Sequence, residues 1–128
     1  MKPHYYVATN VLIEKDGKIL LSLRQNTGWA DGQMTIPGGH TEDGESVIAA
    51  AIREAKEELG LNLKASDLTY LCAENKFTQR SYLSVIFIAK TDQTPTNTET
   101  NKCKELVWAD PKNLTKTVTP NFKKKKKK

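Results

Sequence analysis

The sequence predicts a single α/β domain in which helices pack against a mixed β-sheet. The chain has 128 residues, a length that suits one compact domain with one core. Stretches rich in β-branched and aromatic residues lie on both sides of one segment with helical periodicity, and a further helix signal comes late in the chain. Strands before and after a central helix are typical of a layered α/β fold.

A β-hairpin is predicted at the start of the chain. The first strand covers Tyr5 to Glu14, and the stretch “ILLSLR” at 19–24 returns as its partner. Asp16-Gly17 between them is a two-residue turn signal. A polar loop from Gln25 to Gln33 and a short strand from Met34 to Pro37 complete this part of the prediction.

The strongest helix signal begins after Ser46, a residue suited to the N-cap, and ends at Gly60, which suits the C′ position. Apolar residues between them recur at helical spacing and predict one buried face. The residues of that face are Ile48, Ala51, Ile52, Ala55 and Leu59.

The second half of the chain predicts three strands, at 67–77, 81–90 and 104–109. A polar loop precedes the last of them. Asp110-Pro111 then indicates a cap and the first position of a short turn, and Thr119-Pro120 indicates the start of a second helix with Phe122 docked.

The net charge of +5 comes from the end of the chain. Six lysines form the run 123–128, and without them 14 basic residues face 15 acidic ones. A nucleic-acid-binding domain carries its basic residues on a folded face, so a nucleic-acid partner is not expected. We expect residues 1–122 to form the domain. The lysine tail is interpreted as a solvated helix end, a disordered tail or an artificial extension, with weak attraction to anionic surfaces as the alternative.

The composition also bears on location. No apolar run approaches the ~20 residues that cross a bilayer, and the N-terminus reads as a strand and not as a signal peptide. Cys72 and Cys103 lack metal-binding spacing, so we interpret them as reduced, structural residues. These observations favour a cytoplasmic protein without membrane insertion, either monomeric or homodimeric.

Three glutamates in the predicted helix carry the main functional signal. Glu54, Glu57 and Glu58 fall on an arc of about 100° beside the apolar face. Like charges at such spacing repel by roughly 0.2–0.5 kcal/mol per pair, and a divalent cation would offset this cost. Magnesium prefers oxygen ligands and is often bound by a few carboxylates and substrate phosphates. The alternative is an ordinary solvated acidic face with local ion pairs.

The glycines before the helix and the arginine inside it favour the metal interpretation. Gly38 and Gly39 permit close backbone approach, so that a carbonyl there can join a metal shell. Arg53 lies four residues before Glu57 and can hold a carboxylate in a fork-like pair.

The spacing over 39–61 resembles the complete Nudix box, G-x5-E-x7-R-E-U-x-E-E-x-G-U, where U is a bulky apolar residue. It begins at Gly39, continues with Glu45 and Arg53, and ends at Leu61. Ala55 is smaller than the usual aliphatic residue, which affects packing more than chemistry. The resemblance implies a Nudix-type α/β/α sandwich around a mixed β-sheet. It also implies hydrolysis of a phosphoanhydride bond with Mg²⁺, or with Mn²⁺ as a substitute.

The resemblance also implies roles for the matching residues. Glu54, Glu57 and Glu58 are expected to bind the metal, with the Gly38 carbonyl as a weaker candidate. Arg53 and Glu45 are expected to orient the ligands and support the junction between loop and helix. One carboxylate, or a metal-bound hydroxide, would prepare the attacking water.

A further acidic residue is expected from the loop before the last strand. The stretch “NTETNKCKELVW” resembles the N-x-E-P-x-K segment of a subgroup of nucleoside triphosphate pyrophosphohydrolases. This makes Glu99 a candidate for an auxiliary ligand or base, although Thr100 replaces the usual proline. Glu105 is the competing candidate. The remaining alternative is that Glu99 and Glu105 both face solvent.

The sequence says less about the substrate. Trp29 is a candidate for stacking on a nucleobase. The equally good alternative is that it packs its own loop against the sheet. Gly38, Gly39 and His40 are candidates for substrate contact at the box, and a backbone-bonded turn histidine is the alternative for His40. Further pocket candidates are Phe77, Gln79 and Tyr82.

The resemblance to small bacterial members favours a nucleoside triphosphate, including a modified deoxynucleotide, cleaved to monophosphate and pyrophosphate. ADP-ribose or another nucleoside diphosphate derivative is the alternative. RNA-cap removal and a non-catalytic nucleotide-binding module are less favoured.

Overall fold

A computed structural model of the protein describes residues 1–28, 31–77 and 79–113. Three predicted features lie outside these ranges: Trp29, the helix from Thr119 and the lysine tail at 123–128. The described residues form one mixed sheet and one α-helix, α1 (Val47–Leu59). The strands are β1 (Tyr6–Lys15), β2 (Lys18–Arg24), β3 (Met34–Thr35), β4 (Gly38–His40), β5 (Leu68–Phe77), β6 (Ser81–Lys90) and β7 (Cys103–Ala109).

The strand order is β3-β2-β1-β6-β5, with β4 paired to β1 and β7 paired to β2. Strands β1 and β6 run parallel from Tyr6↔Tyr82 to Glu14↔Lys90, and the other pairs are antiparallel. The predicted α/β class with a mixed sheet is therefore confirmed.

The N-terminal hairpin is confirmed at its predicted turn. Asp16 and Gly17 have φ values of 53° and 76°, the left-handed pair that matches the twist of two antiparallel strands. The turn sets the register, in which Lys15 faces Lys18.

The strand predicted from Met34 to Pro37 is wrong in its extent. Pairing with β2 ends at Thr35, and β4 begins at Gly38 and pairs with β1 instead. Pro37 has no N–H to donate to a ladder. Its carbonyl oxygen accepts a hydrogen bond from the Val11 backbone N–H at 2.8 Å, so the chain crosses from β2 to β1 at this residue.

Both ends of α1 agree with the prediction. The Ser46 Oγ accepts a hydrogen bond from the Ala49 N–H at 3.1 Å. At the other end Gly60 adopts φ 67°, and its N–H binds the Lys56 carbonyl oxygen at 3.0 Å. These bonds satisfy backbone groups that a helix end leaves without partners.

The predicted buried face of α1 differs from the observed one, and Ile52, which the prediction included, is only half-buried. Ile48 is 40% exposed, whereas Ala50, which the prediction left out, is fully buried. The face that meets the sheet consists mainly of alanines, which let the helix approach the strands closely. It is formed by Ala50, Ala51, Ala55 and Leu59.

Two apolar clusters cover the two faces of the sheet. One contains Val11, Leu20 and Phe87 and packs against α1, and the other contains Leu12 and Leu21 on the opposite face. None of the helices in the described ranges has the length and apolar character needed to cross a bilayer.

Candidate active site

A cavity of about 290 Å³ opens beside the C-terminal half of α1, where β2 ends and β7 begins. Four carboxylates line it, and two basic side chains, Arg24 and Lys102, lie on its wall. The structure thus brings the predicted metal-binding glutamates and the predicted auxiliary glutamate to one place. The four acidic residues are Glu54, Glu57, Glu58 and Glu99.

Arg53 connects the loop before α1 to two of these glutamates. Its guanidinium donates to both oxygens of Glu45, from Nε at 2.8 Å and from Nη2 at 3.0 Å. Nη1 donates to Glu54 at 2.9 Å and to Glu57 at 3.2 Å. Nη2 also donates to the His40 backbone oxygen at 3.0 Å. One planar cation therefore fixes two carboxylates relative to the loop.

Glu45 completes this arrangement on the loop side. Its Oε1 also accepts the Glu42 backbone N–H at 2.9 Å. The hydrogen bonds from Arg53 and Glu42 lower the pKa of Glu45 to about 2, and the same contact with Glu45 raises the pKa of Arg53. Both groups therefore stay charged, as a positioning role requires.

Glu58 lies deepest in the cluster. Burial, followed by the charges of Glu54 and Glu99, raises its pKa to about 8, against a backbone hydrogen bond from Gly38 that acts in the other direction. Its Oε2 is buried and has no hydrogen-bond partner among the described residues. Burial also raises the pKa of Glu54, and the contact with Arg53 opposes that shift.

The two glycines before α1 are required by close packing. A Cβ at Gly38 would lie 2.0 Å from the Thr9 backbone oxygen, and a Cβ at Gly39 would lie 2.6 Å from Glu54 Oε1. Any larger residue at Gly39 would displace the carboxylate. The glycines thus bring the loop backbone against the acidic cluster, as the sequence predicted.

The loop between β6 and β7 reaches the cavity by binding the end of α1. The Thr96 N–H donates to the Leu59 carbonyl oxygen at 2.8 Å, and the Thr98 hydroxyl donates to that of Glu57. Asn97 Oδ1 accepts the Glu99 N–H at 3.2 Å. These contacts place Glu99 beside the helix glutamates.

The two acidic residues considered for the auxiliary role are separated by the structure. Glu99 lines the cavity, whereas Glu105 is exposed on β7 and is not part of its lining. Sequence reasoning missed Arg24 and Lys102 as site residues. The lysine of the N-x-E-P-x-K-like segment was the available signal for Lys102, but nothing local marked Arg24.

The other substrate-binding candidates are not part of the cavity lining or lie outside the described residues. The His40 ring stacks on Tyr82, with centroids 5.4 Å apart. Phe77 is exposed and contacts Tyr5. Trp29 lies outside the described residues, so its stacking role stays a prediction.

The donor set fits a hard divalent cation that binds together with substrate. Within the described ranges, no three His, Cys, Asp or Glu side chains already lie close enough to hold an ion. Glu54 and Glu57 are each paired with Arg53. Magnesium keeps several waters and takes phosphate oxygens as ligands, and the unpartnered Glu58 Oε2 offers a carboxylate oxygen to it. The residues therefore suit an ion with few protein ligands.

Comparison with known proteins agrees with this geometry. The family model described as NUDIX domain matches residues 3–128. An ADP-ribose pyrophosphatase of Methanocaldococcus jannaschii is 41% identical over 86 residues, which cover 66% of this chain and 50% of that protein. The nucleoside triphosphatase NudI of Salmonella agona is 44% identical over 59 residues, 45% of this chain and 42% of that protein.

The same comparison holds at the level of structure. The crystal structure of a MutT NUDIX hydrolase from Burkholderia pseudomallei superimposes with a TM-score of 0.86 and 25% identity, over 97% of each chain. Against the two curated relatives, by contrast, the matched part of this chain spans about half of the relative's length or less.

Proposed function

This chain belongs to the NUDIX family, and from this membership we propose that it is a Mg²⁺-dependent pyrophosphohydrolase acting on a nucleoside triphosphate. In the reaction, water attacks one phosphorus of the α–β phosphoanhydride, the bond from that phosphorus to the bridging oxygen breaks, and monophosphate and pyrophosphate are released together with a proton. The observation that carries the proposal is a single cavity lined by four glutamates together with Arg24 and Lys102.

The charges in the cavity match the demands of this chemistry. Phosphoryl-type transfer depends mainly on positioning and charge neutralisation. Mg²⁺ held by Glu54, Glu57 and Glu58, with the Gly38 carbonyl as a further candidate, would neutralise phosphate charge; Mn²⁺ is a suitable substitute. Lys102 and Arg24, which line the same cavity, would contact the outer phosphates.

The remaining residues act on geometry and on the proton. Arg53 and Glu45 hold the carboxylates of Glu54 and Glu57 in place through the bonds described above. Glu99, which projects from a separate loop, is our candidate for the base that accepts the proton of the attacking water.

A second candidate substrate is ADP-ribose. It is favoured by the M. jannaschii relative, whose name is ADP-ribose pyrophosphatase. ADP-ribose has two linked phosphates and a second ribose in place of the terminal phosphate. A cationic wall formed by Arg24 and Lys102 suits a terminal phosphate better, because a phosphate carries charge and a ribose does not.

The test is a hydrolysis screen with Mg²⁺ over nucleoside triphosphates, modified deoxynucleoside triphosphates, ADP-ribose, nucleotide sugars and dinucleoside polyphosphates. We expect monophosphate and pyrophosphate from a triphosphate as the fastest reaction. Release of ribose 5-phosphate from ADP-ribose as the fastest reaction would select the second candidate, and no turnover of any nucleotide would refute both.

Two glutamate substitutions provide a matched pair for the site itself. Glu99→Gln should lower kcat by roughly 10²–10⁴-fold, the usual contribution of a general base. Glu105→Gln is the control, because this residue has the same chemistry but lies outside the cavity. Equal rates for the two variants would remove Glu99 from the mechanism.

A further inference from the structure

A buried hydroxyl group on β1 has no hydrogen-bond partner. Thr9 is fully buried, and its Oγ1 makes no hydrogen bond with any described residue. Leaving a buried hydroxyl unpaired destabilises a fold, so the large majority of such groups in proteins are paired. Within the part of the chain that the structure describes, the one other buried side-chain nitrogen or oxygen without a partner is Glu58 Oε2. The hydroxyl of Thr9 therefore does not serve the stability of the metal-free fold.

The strand register places Thr9 on the face of the sheet that packs against α1. Side chains two apart on a strand share a face, and Val11 and Ile13 belong to the apolar cluster that packs against α1. Thr9 also faces Val85 across the β1–β6 pair, and Val85 belongs to the same cluster. Thr9 and α1 therefore lie on the same side of the sheet.

The carboxylate of Glu54 is the neighbour of Thr9 on that face. Thr9 faces Gly39 across the β1–β4 pair. Residues that face each other on antiparallel strands direct their side chains to the same face, with Cβ atoms about 4.5–5.5 Å apart. A Cβ at Gly39 would lie 2.6 Å from Glu54 Oε1 and 3.0 Å from Oε2. The carboxylate thus occupies the space of the side chain that Gly39 lacks, next to Thr9 across the strand pair.

Glu54 can accept a hydrogen bond from Thr9 and still bind a cation. Its side chain is 13% exposed, and its Oε1 accepts a hydrogen bond from Arg53 Nη1 at 2.9 Å. A carboxylate offers about four acceptor positions, so positions remain for a hydroxyl and for a metal ion. Carboxylates that bind metals are usually held by hydrogen bonds from neighbouring groups, which fix their orientation. Thr9 has the donor, the burial and the location for that role.

We propose that Thr9 is a positioning residue whose hydroxyl donates a hydrogen bond to the Glu54 carboxylate when this carboxylate serves as a metal ligand. The inference rests on the proposed function and adds a residue of β1, outside the 39–61 stretch, to the site. Thr9 acts through Glu54 and does not touch the substrate. In the metal-free protein Glu54 is paired with Arg53, and the hydroxyl of Thr9 stays unpaired.

Thermal unfolding of Thr9→Val measures the cost of the hydroxyl, because valine has nearly the same shape and no polar atom. Without metal, this variant should melt about 2–8 °C above the wild type, since a methyl group replaces an unpaired buried hydroxyl. Thr35→Val is the matched control. Thr35 is also buried, but its hydroxyl donates to the Ser22 backbone oxygen at 3.5 Å, so its loss should bring no gain. A lower melting temperature for Thr9→Val would overturn the proposal, because the hydroxyl would then have a structural partner.

Binding of Mn²⁺ to the full chain, followed by the EPR signal of the free ion, tests the positioning role. Thr9→Val should raise the Kd for Mn²⁺ about 10- to 100-fold, the usual effect of removing a group that orients a metal ligand. Thr9→Ser loses a methyl group but keeps the hydroxyl, so its Kd should stay close to that of the wild type. Thr35→Val should leave the Kd unchanged. A Kd for Thr9→Val equal to that of the wild type would refute the role.

The two measurements separate the possible failures. If the wild type binds no Mn²⁺, the proposed function fails and the role of Thr9 fails with it. If the wild type binds Mn²⁺ and hydrolyses nucleotides, and Thr9→Val binds the ion equally well, the proposed function stands and this inference is wrong. The predicted result is a higher melting temperature together with weaker Mn²⁺ binding. A packing defect cannot give this combination, because it would lower the melting temperature.

Discussion

Glu58→Gln should make the metal-free protein more stable and at the same time weaken its response to Mg²⁺. Glu58 is buried, its Oε2 has no partner among the described residues, and Glu54 and Glu99 lie beside it. Glutamine has nearly the same shape but carries no charge. It therefore removes the cost of keeping a carboxyl protonated at neutral pH beside Glu54 and Glu99, and it also removes one metal ligand.

The size of the effect follows from the pKa of Glu58, which rises from 4.5 to about 8 on folding. Between pH 4.5 and 7 the folded protein holds a proton that the unfolded chain releases, at about 1.4 kcal/mol per pH unit. The cost at pH 7 is thus about 3 kcal/mol. Part of the gain is lost because the buried amide of glutamine also needs partners, so we expect a net gain of about 1–3 kcal/mol.

Chemical denaturation with and without Mg²⁺ measures this balance. The metal-free wild type should lose stability as pH rises from 4.5 through 8, because the raised pKa makes the anion costly, and Glu58→Gln should show a flatter profile. Mg²⁺ with a non-cleavable triphosphate at 100 times Kd should add about 2.7 kcal/mol to the wild type and less to the variant. A metal-free variant that is less stable than the wild type would refute the reasoning.

Four further substitutions test the supporting residues. Arg53→Lys keeps the positive charge but loses the planar guanidinium that donates to Glu45 and to the helix glutamates. We expect kcat to fall about 10- to 100-fold, as for other residues that orient metal ligands. Unchanged steady-state turnover would contradict this role. Gly39→Ala, whose Cβ would lie 2.6 Å from a Glu54 oxygen, should lower kcat and leave the melting temperature within a few degrees of wild type. Gly38→Ala, whose Cβ would clash with the β1 backbone, should lower the melting temperature by more. A larger loss of melting temperature for Gly39→Ala than for Gly38→Ala would be inconsistent with the packing. Glu45→Gln should lower stability by its full amount above pH 4.5, and the loss should disappear as pH falls towards 2, because folding lowers the pKa of Glu45 from 4.5 to about 2. A loss of stability that does not depend on pH in denaturant titrations would contradict the ion pair.

The local features of the fold could be predicted because their signals are local. The Asp16-Gly17 turn, the Ser46 cap and the Gly60 stop each depend on a few adjacent residues, and each occurs where expected. The spacing of Glu54, Glu57 and Glu58 also translates directly into positions on a helix. Agreement at these positions reflects backbone rules that act within one turn.

The features that the sequence left open depend on contacts between distant segments. Nothing near Pro37 indicates that the chain changes its partner strand from β2 to β1. The exposure of Ile48 depends on how the helix is set on the sheet. In the same way, Thr98 reaches the end of α1 only because the loop folds back over 41 residues of sequence.

The candidate site shows the same difference between features with a local sequence signal and features that depend on long-range pairing. The helix glutamates and Arg53 were predicted as a group because they share one helix and the loop before it. Arg24 and Lys102 join them only through the pairing of β2 with β7. Long-range pairing of this kind has no short sequence signal.

The most direct test of the central claim is calorimetric titration of the full chain with Mg²⁺, and separately with Mn²⁺, in the presence and absence of a non-cleavable nucleoside triphosphate analogue. We predict weak binding of either ion alone and much tighter binding with the analogue present, since phosphate oxygens complete the ligand set. No heat of metal binding under either condition would contradict the assignment of Glu54, Glu57 and Glu58 as the ligands of a catalytic cation.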